Sequence, residues 1–408
     1  MGLRKKIFSI AASLVMAGSA LSGAYIDPIC ASAAAKQNVF ASGLRTAKVD
    51  SKNIRLTWND KADPYVTAYH VDRYDTYANK WINNYYQVKS DRKAGSNTYT
   101  MTDRLTSAAP RQYYYRIRVD VANANAYAPE TNGVWGSNIK ICIDPGHFLK
   151  NNGGTYGYYE SEANFIMARA LAVYLKSEGI DYYMTRNNAN ITLGGYTNLD
   201  NSPQLEARGH AAKYNNCDYF LSIHTNANNA DANGRDTIHQ LSALNKTIVF
   251  VNSTIYNKRH TTGLRIANNL GQYVTNANKR LKITTNNWNP ISRYGNNAYH
   301  FYTSAWFPTV YNDMFTRYND EIYHFGYVVY RQASLGDYYA VLRAAAQDSI
   351  PGILIEHSYH TVPEFCKRFM GNPTVAKAYA LADARAIAHG LGFAGASSNS
   401  ISGYTAPN

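Results

Sequence analysis

"KICIDPGHFL", residues 140–149, decides how the rest of the chain is read. An apolar run from Ile139 to Ile143 stops at Asp144-Pro145-Gly146-His147. Pro and Gly break a strand and force a turn. A buried strand is therefore expected to close in a tight turn that presents His147. Downstream, "ESEANFIMARALAVYLKSEG" (160–179) repeats apolar residues at helical period and stops at Gly179. Phe165, Ala168, Leu171, Ala172 and Leu175 share one face. "IDYYMTR" (180–186) reads as a second strand and "QLEARGHAAKYN" (204–215) as a helix in spite of Gly209. "CDYFLSIH" (217–224) is a third strand, and "PGILIEH" (351–357) a late one followed by the helix "NPTVAKAYALADARAIAHGLG". Strands alternating with helices imply an α/β domain whose mostly parallel sheet is flanked by helices.

Upstream, the period changes. "NIRLTW" (53–58), "YHVDRY" (69–74) and "YYYRIRVDV" (113–121) alternate, with turn-rich stretches between them. Short strands with turn signals predict a small all-β sandwich over 36–128. "YAPETNGVWGSN" reads as a linker, assigned to 129–138, and the α/β domain then spans 139–393. Within it, an insertion of about 230–340 contains one helical pattern, "TTGLRIANNLGQYVTNANKR". After that come Trp288, Tyr294, Tyr299, Phe301, Tyr302, Trp306, Phe307 and Tyr311 in an Asn-rich setting. Residues 394–408 are expected to be a disordered tail.

Residues 1–35 read as a secretory signal peptide. Arg4, Lys5 and Lys6 precede an apolar stretch diluted by Gly and Ser, and "CASAAAK" offers small-residue cleavage sites. Export to the extracellular space or the cell wall is expected, with no membrane span after cleavage. Removing this segment takes away three basic residues and Asp27, so the formal charge of +13 becomes +11. An exported protein this basic suits anionic wall polymers. No zinc finger or RNA-binding signature supports a nucleic-acid role. Of the four cysteines, Cys142, Cys217 and Cys366 would remain, an odd number set in apolar runs. They are expected as buried small side chains rather than a disulfide framework.

In parallel α/β sheets, ligands bind beyond the carboxyl ends of the strands. His147, His224 and Glu356 fall at such ends, and Glu160 opens the helix after the His147 turn. Two imidazoles and a carboxylate with one position open are what catalytic zinc requires. A further carboxylate can move the water's proton to a leaving amine, and Glu356 is the candidate. Taken singly, each residue also has a structural reading. Glu160, for instance, would be favoured at a helix start by the macrodipole alone.

The ordered set "ICIDPGHFLKNNGGTYGYYESEANF…YYMTR…LEARGHAAKYNNCDYFLSIHTNA…GILIEH" resembles the catalytic domain of zinc-dependent N-acetylmuramoyl-L-alanine amidases. The matches cover about 140–228 and 335–393, and the sandwich resembles a fibronectin type III domain. The amidase resemblance implies His147, Glu160 and His224 as Zn2+ ligands and Glu356 as the catalytic carboxylate. Peptidoglycan is the implied partner, and the implied reaction is hydrolysis of the amide between N-acetylmuramic acid and L-alanine of the stem peptide. Asn164 and Phe165 match the family's Asn-Leu pair, which selects Glu160 over Glu162. Asp144 and Asp218 are candidates for orienting ligands.

The chain departs from the pattern twice. "FLKNN" separates His147 from Gly153-Gly154, and "EHSYHT" stands where the family usually has Gly-Phe and Ser-Asn, though it is similar to a subgroup with an EHS-aromatic-HT variant. His357 and His360 are thereby candidates for substrate contact. His239, His260, His300 and His324 match no family position. Two other functions fit the same scaffold: a non-catalytic wall-binding or adhesion protein, and a zinc hydrolase of another amide.

Overall fold

The structure is a computed structural model. It describes residues 41–60, 66–90, 98–122, 131, 133–150, 152–186, 202–227, 247–283, 299–300, 321–325, 327–333 and 335–393. The expected leader, the tail, His239 and most of the aromatic-rich stretch from Trp288 to Tyr311 lie outside these residues. Of His300 and His324 only the strand backbone is described.

The amino-terminal region forms two antiparallel sheets. One is β1(Ala41–Asp50)–β2(Asn53–Asp60)–β5(Thr98–Arg104), and the other is β4(Lys80–Lys89)–β3(Val66–Asp75)–β6(Gln112–Val121)–β7(Val134–Ser137). Alternation places Ile54, Leu56 and Trp58 of β2 against Tyr69 and Val71 of β3 and Tyr115, Ile117 and Val119 of β6. These side chains leave water together, and each large one contributes roughly 1.5–3 kcal/mol of transfer free energy. The stretch expected as a linker contains β7, which pairs with β6 in register from Gln112↔Ser137 to Tyr115↔Val134. The second sheet therefore extends through Ser137, and only Asn138 and Ile139 separate it from the next domain.

The second region is a mixed sheet of nine strands. Its core order is β14(Val328–Ala333), β11(Ile248–Val251), β16(Gly352–Tyr359), β10(Tyr219–Asn226), β8(Lys140–Pro145), β9(Asp181–Met184). Strands β12(Tyr299–His300) and β13(Glu321–Phe325) extend one edge, and β15(Gly336–Asp337) pairs with β14. β9, β8, β10 and β16 are mutually parallel, while β11 runs antiparallel to β16.

Helices flank the sheet: α1(Glu160–Ser177), α2(Ser202–Tyr214), α3(Ser253–Tyr256), α4(Thr261–Arg280), α5(Ala340–Gln347), α6(Pro363–Gly371) and α7(Thr374–Leu391). The pattern read as a helix in the insertion is α4, with Ala267, Leu270 and Val274 buried. The buried face of α1 is turned slightly from the expected one. Met167 and Ala163 are inside, whereas Phe165 is half-buried beneath the Arg186 guanidinium at 5.2 Å. Gly209 sits in α2 because a Cβ there would collide with Val341 O and Ala344 of α5. Close helix approach outweighs the ~1 kcal/mol propensity cost of glycine.

The two regions are bolted together at the amino ends of the parallel strands. The nearly buried Lys48 Nζ lies 2.7 Å from Asp218 Oδ1, and Asp218 Oδ2 accepts Lys140 N–H at 2.7 Å. Gln112 and Ser137 donate to the carbonyls of Glu178 and Gly179. Asp218 thus serves the domain junction, at the opposite end of β10 from His224. Cys142, Cys217 and Cys366 are free and buried, as expected.

Candidate active site

Four chain segments meet at the carboxyl edge of the sheet. β8 ends in Asp144-Pro145, after which Gly146 N–H donates to Ile223 O at 2.9 Å. His147 then adopts φ 58°, a left-handed conformation that His tolerates better than branched residues. Gly146 is required here because a Cβ would fall inside the His224 ring. The two imidazoles consequently approach to 4.9 Å between centroids at 83°.

The turn is hung from two buried arginines. Arg208 donates to Pro145 O at 2.6 Å and pairs with Asp144 Oδ1 at 2.7 Å. Arg186 donates to Pro145 O, Gly146 O and Ser161 O. Asp144 also accepts Thr185 Oγ1 and Ser222 Oγ, both at 2.6 Å. Burial works to raise its pKa, but Arg208 and these hydroxyls outweigh it and hold the carboxyl below its ordinary value.

Glu160 opens α1 and is 2% exposed. Its Oε1 accepts Thr225 N–H at 3.0 Å and Asn164 Nδ2 at 3.3 Å, and its Oε2 accepts Asn152 Nδ2 at 2.8 Å. His147 Nε2 lies 3.1 Å from Oε2 and His224 Nδ1 lies 3.0 Å from Oε1. Burial alone would raise the Glu160 pKa, but the two histidines outweigh it and keep it well below the ordinary range. Glu162 is half-exposed, consistent with the choice of Glu160.

The hydrogen-bond chain selects one tautomer of His224. Ser222 gives its hydrogen to Asp144, so its oxygen accepts from His224 Nε2 at 3.1 Å. Nδ1 then faces the Glu160 carboxylate at 3.0 Å, where a proton or a metal ion between them satisfies both. His147, Glu160 and His224 offer ligand atoms that all lie within 4.8 Å of one another. Two nitrogens and one oxygen so placed could hold a metal ion.

Glu356 comes from β16, whose Cα registers with His224 of β10. Its Oε2 is buried with no hydrogen-bond partner among the described residues. Burial, then the nearby Glu160 charge, pushes its pKa well above the usual carboxylate range. A buried carboxyl with a raised pKa lining a cavity is a candidate for proton transfer. It shares a cavity of about 340 Å³ with His147, Glu160, His224, Tyr339 and His360. A groove of about 500 Å³ along α6, lined by Leu281, Glu364, Lys367 and Arg368, gathers no such set.

All four residues singled out in the sequence thus converge. His357 does not face the cavity. It is fully buried, with Nδ1 3.1 Å from His224 O and Nε2 2.9 Å from Asp383 Oδ2 of α7. It fills a bulge where the β10–β16 register shifts after His224↔Glu356. His260 caps α4 by accepting Gly263 N–H. Sequence reasoning missed Asn152, Thr225 and Asp383. None carries a signal of its own, because each acts through a fold contact distant in sequence.

The family model described as N-acetylmuramoyl-L-alanine amidase matches residues 141–389. No curated protein matches. Among solved structures, Cwp6 from Clostridium difficile is 18% identical with a TM-score of 0.40, over 62% of this chain and 29% of that one. AmiC2 of Nostoc punctiforme, an N-acetylmuramoyl-L-alanine amidase, is 19% identical with a TM-score of 0.37, over 62% and 96%. Ami1 from Mycobacterium smegmatis, an N-acetylmuramyl-L-alanine amidase, is 15% identical with a TM-score of 0.38, over 62% and 97%. This chain spans less than a third of the Cwp6 chain.

Proposed function

We propose, for a chain that belongs to the N-acetylmuramoyl-L-alanine amidase family, that it hydrolyses the amide between N-acetylmuramic acid and L-alanine of peptidoglycan with zinc held by His147, Glu160 and His224. The observation that carries this reading is the pairing of that donor set with the unpartnered Glu356 carboxyl in one cavity. Zinc bound there would polarise the scissile carbonyl and lower the pKa of a coordinated water toward ~7.

The chain's own residues do the rest. Asp144 and Ser222 fix the His224 tautomer. Asn152, Asn164 and Thr225 N–H hold the Glu160 carboxylate. Glu356 accepts the proton of the attacking water at Oε2 and returns it to the alanine nitrogen. Burial, then the Glu160 charge, raises its pKa, which makes it a stronger proton acceptor.

The sheet orders β1-β2-β5 and β4-β3-β6-β7 support reading the amino-terminal region as fibronectin type III-like. The leader-like residues 1–35 support secretion, and the excess of Lys and Arg supports contact with anionic wall polymers. No described helix is long and apolar enough to cross a membrane.

Incubating purified peptidoglycan with wild type and with Glu356→Gln tests the reading. Wild type should release stem peptides with free N-terminal alanine, and the variant should be slower by at least about 10². No release by wild type, or equal release by both, would overturn it.

A further inference from the structure

We propose that His360 is a substrate-positioning residue whose Nε2 accepts an amide N–H of the stem peptide beside the scissile bond. The proposal rests on the amidase reading above and deepens it. His360 belongs to the "EHSYHT" stretch, where this chain leaves its family's usual pattern.

Nearly every polar atom of His360 is committed. Its N–H donates to Asn226 O at 2.8 Å, and its carbonyl accepts Cys366 Sγ at 3.0 Å. Its Nδ1 lies 2.8 Å from Thr225 O and 3.2 Å from Thr225 Oγ1. A backbone carbonyl only accepts, so Nδ1 carries the hydrogen, and in the neutral ring Nε2 carries the lone pair. The ring stacks on Tyr158 at 6.0 Å and 16°, and Gly154 leaves room for its backbone, since a Cβ there would meet His360 O. The side chain is held on all sides, and the residue is 4% exposed.

Nε2 is the atom left over. Among the described residues it has no hydrogen bond, and it is not a sealed polar atom. His360 lines the cavity with Glu356 and the proposed metal ligands, and we take Nε2 as the atom it turns to that cavity. A fixed acceptor there selects a donor from the substrate. Its ring also lies close to the reacting centre, with Nδ1 3.8 Å from Glu160 Oε2. On the peptide side of the scissile bond, the donor it would meet is the amide N–H of the residue after alanine. An acceptor aimed at one amide orients the carbonyl without touching the reacting atoms.

The test uses the full chain. In zinc-free wild type, the ¹⁵N signal of His360 Nε2 should be that of an unprotonated ring nitrogen. It should shift when N-acetyl-L-alanyl-D-isoglutamine is added and stay put with N-acetylmuramic acid alone. A protonated Nε2, no shift with the peptide, or a shift with the sugar alone would overturn the proposal. His360→Phe should weaken peptide binding and raise KM about three- to tenfold, with zinc still bound. His360→Gln, which keeps an acceptor, should restore both to within about twofold. Equal KM in wild type and His360→Phe, with alanine release intact, would refute His360 alone. Absent alanine release by wild type would instead refute the amidase reading.

Discussion

Asp144→Asn should expose how the turn that carries His147 is held. Asp144 is fully buried and binds Arg208 at 2.7 Å, Ser222 at 2.6 Å and Thr185 at 2.6 Å. The amide keeps the volume but removes the charge, which takes the carboxylate away from the buried Arg208 guanidinium. Breaking one partner of such a pair costs about 3–5 kcal/mol. That is a large part of the 5–15 kcal/mol typical of a domain. At roughly 2–4 °C per kcal/mol for a domain this size, the catalytic region should melt about 6–20 °C lower.

Urea titrations of the single variants and of Asp144→Asn/Arg208→Met close the cycle. The double variant should cost about 2–3 kcal/mol less than the sum of the singles, because the buried charge is gone. The pH dependence provides a further check. The folded pKa of Asp144 is depressed, so its contribution is fully present above the unfolded value near 3.8. It is lost as pH falls through the lower folded value. The gap between wild type and Asp144→Asn should therefore narrow only in that acid window. A loss below about 1 kcal/mol, or additive singles, would refute the reasoning.

Other outcomes follow from the same geometry. Gly146→Ala drives a methyl into the His224 ring, so zinc content should fall and stability should drop by about 1–3 kcal/mol; full zinc occupancy by metal analysis would count against the required close approach. Asp383→Asn loosens His357, which braces the His224 carbonyl, and zinc should bind about tenfold more weakly by competition with a chelator. Unchanged affinity would show that this link is only packing.

Much of the site was legible because its residues sit where secondary structure ends. DPGH, Glu160 at a helix start, His224 and Glu356 at strand ends all follow from period and punctuation. The parallel core, β8, β9, β10 and β16, is legible for the same reason. β7 was not, since "VWGS" alternates too briefly to stand out from its turn-rich surroundings and gains its strand character from pairing with β6. The buried face of α1 shifted because Arg186 draws Phe165 toward the rim. His357 could not be told from His360 by sequence. Both flank the same bulge, and only the register shift turns one toward Asp383 and the other toward the cavity.

The central claim is that His147, Glu160 and His224 form one metal centre. Titrating zinc into metal-stripped protein, with bound metal measured after dialysis, tests it most directly. One zinc per chain should bind wild type, and His147→Ala, Glu160→Ala and His224→Ala should each lose it while Glu356→Gln retains it. Full occupancy in any of the three ligand variants, or no stoichiometric binding by wild type, would contradict the account.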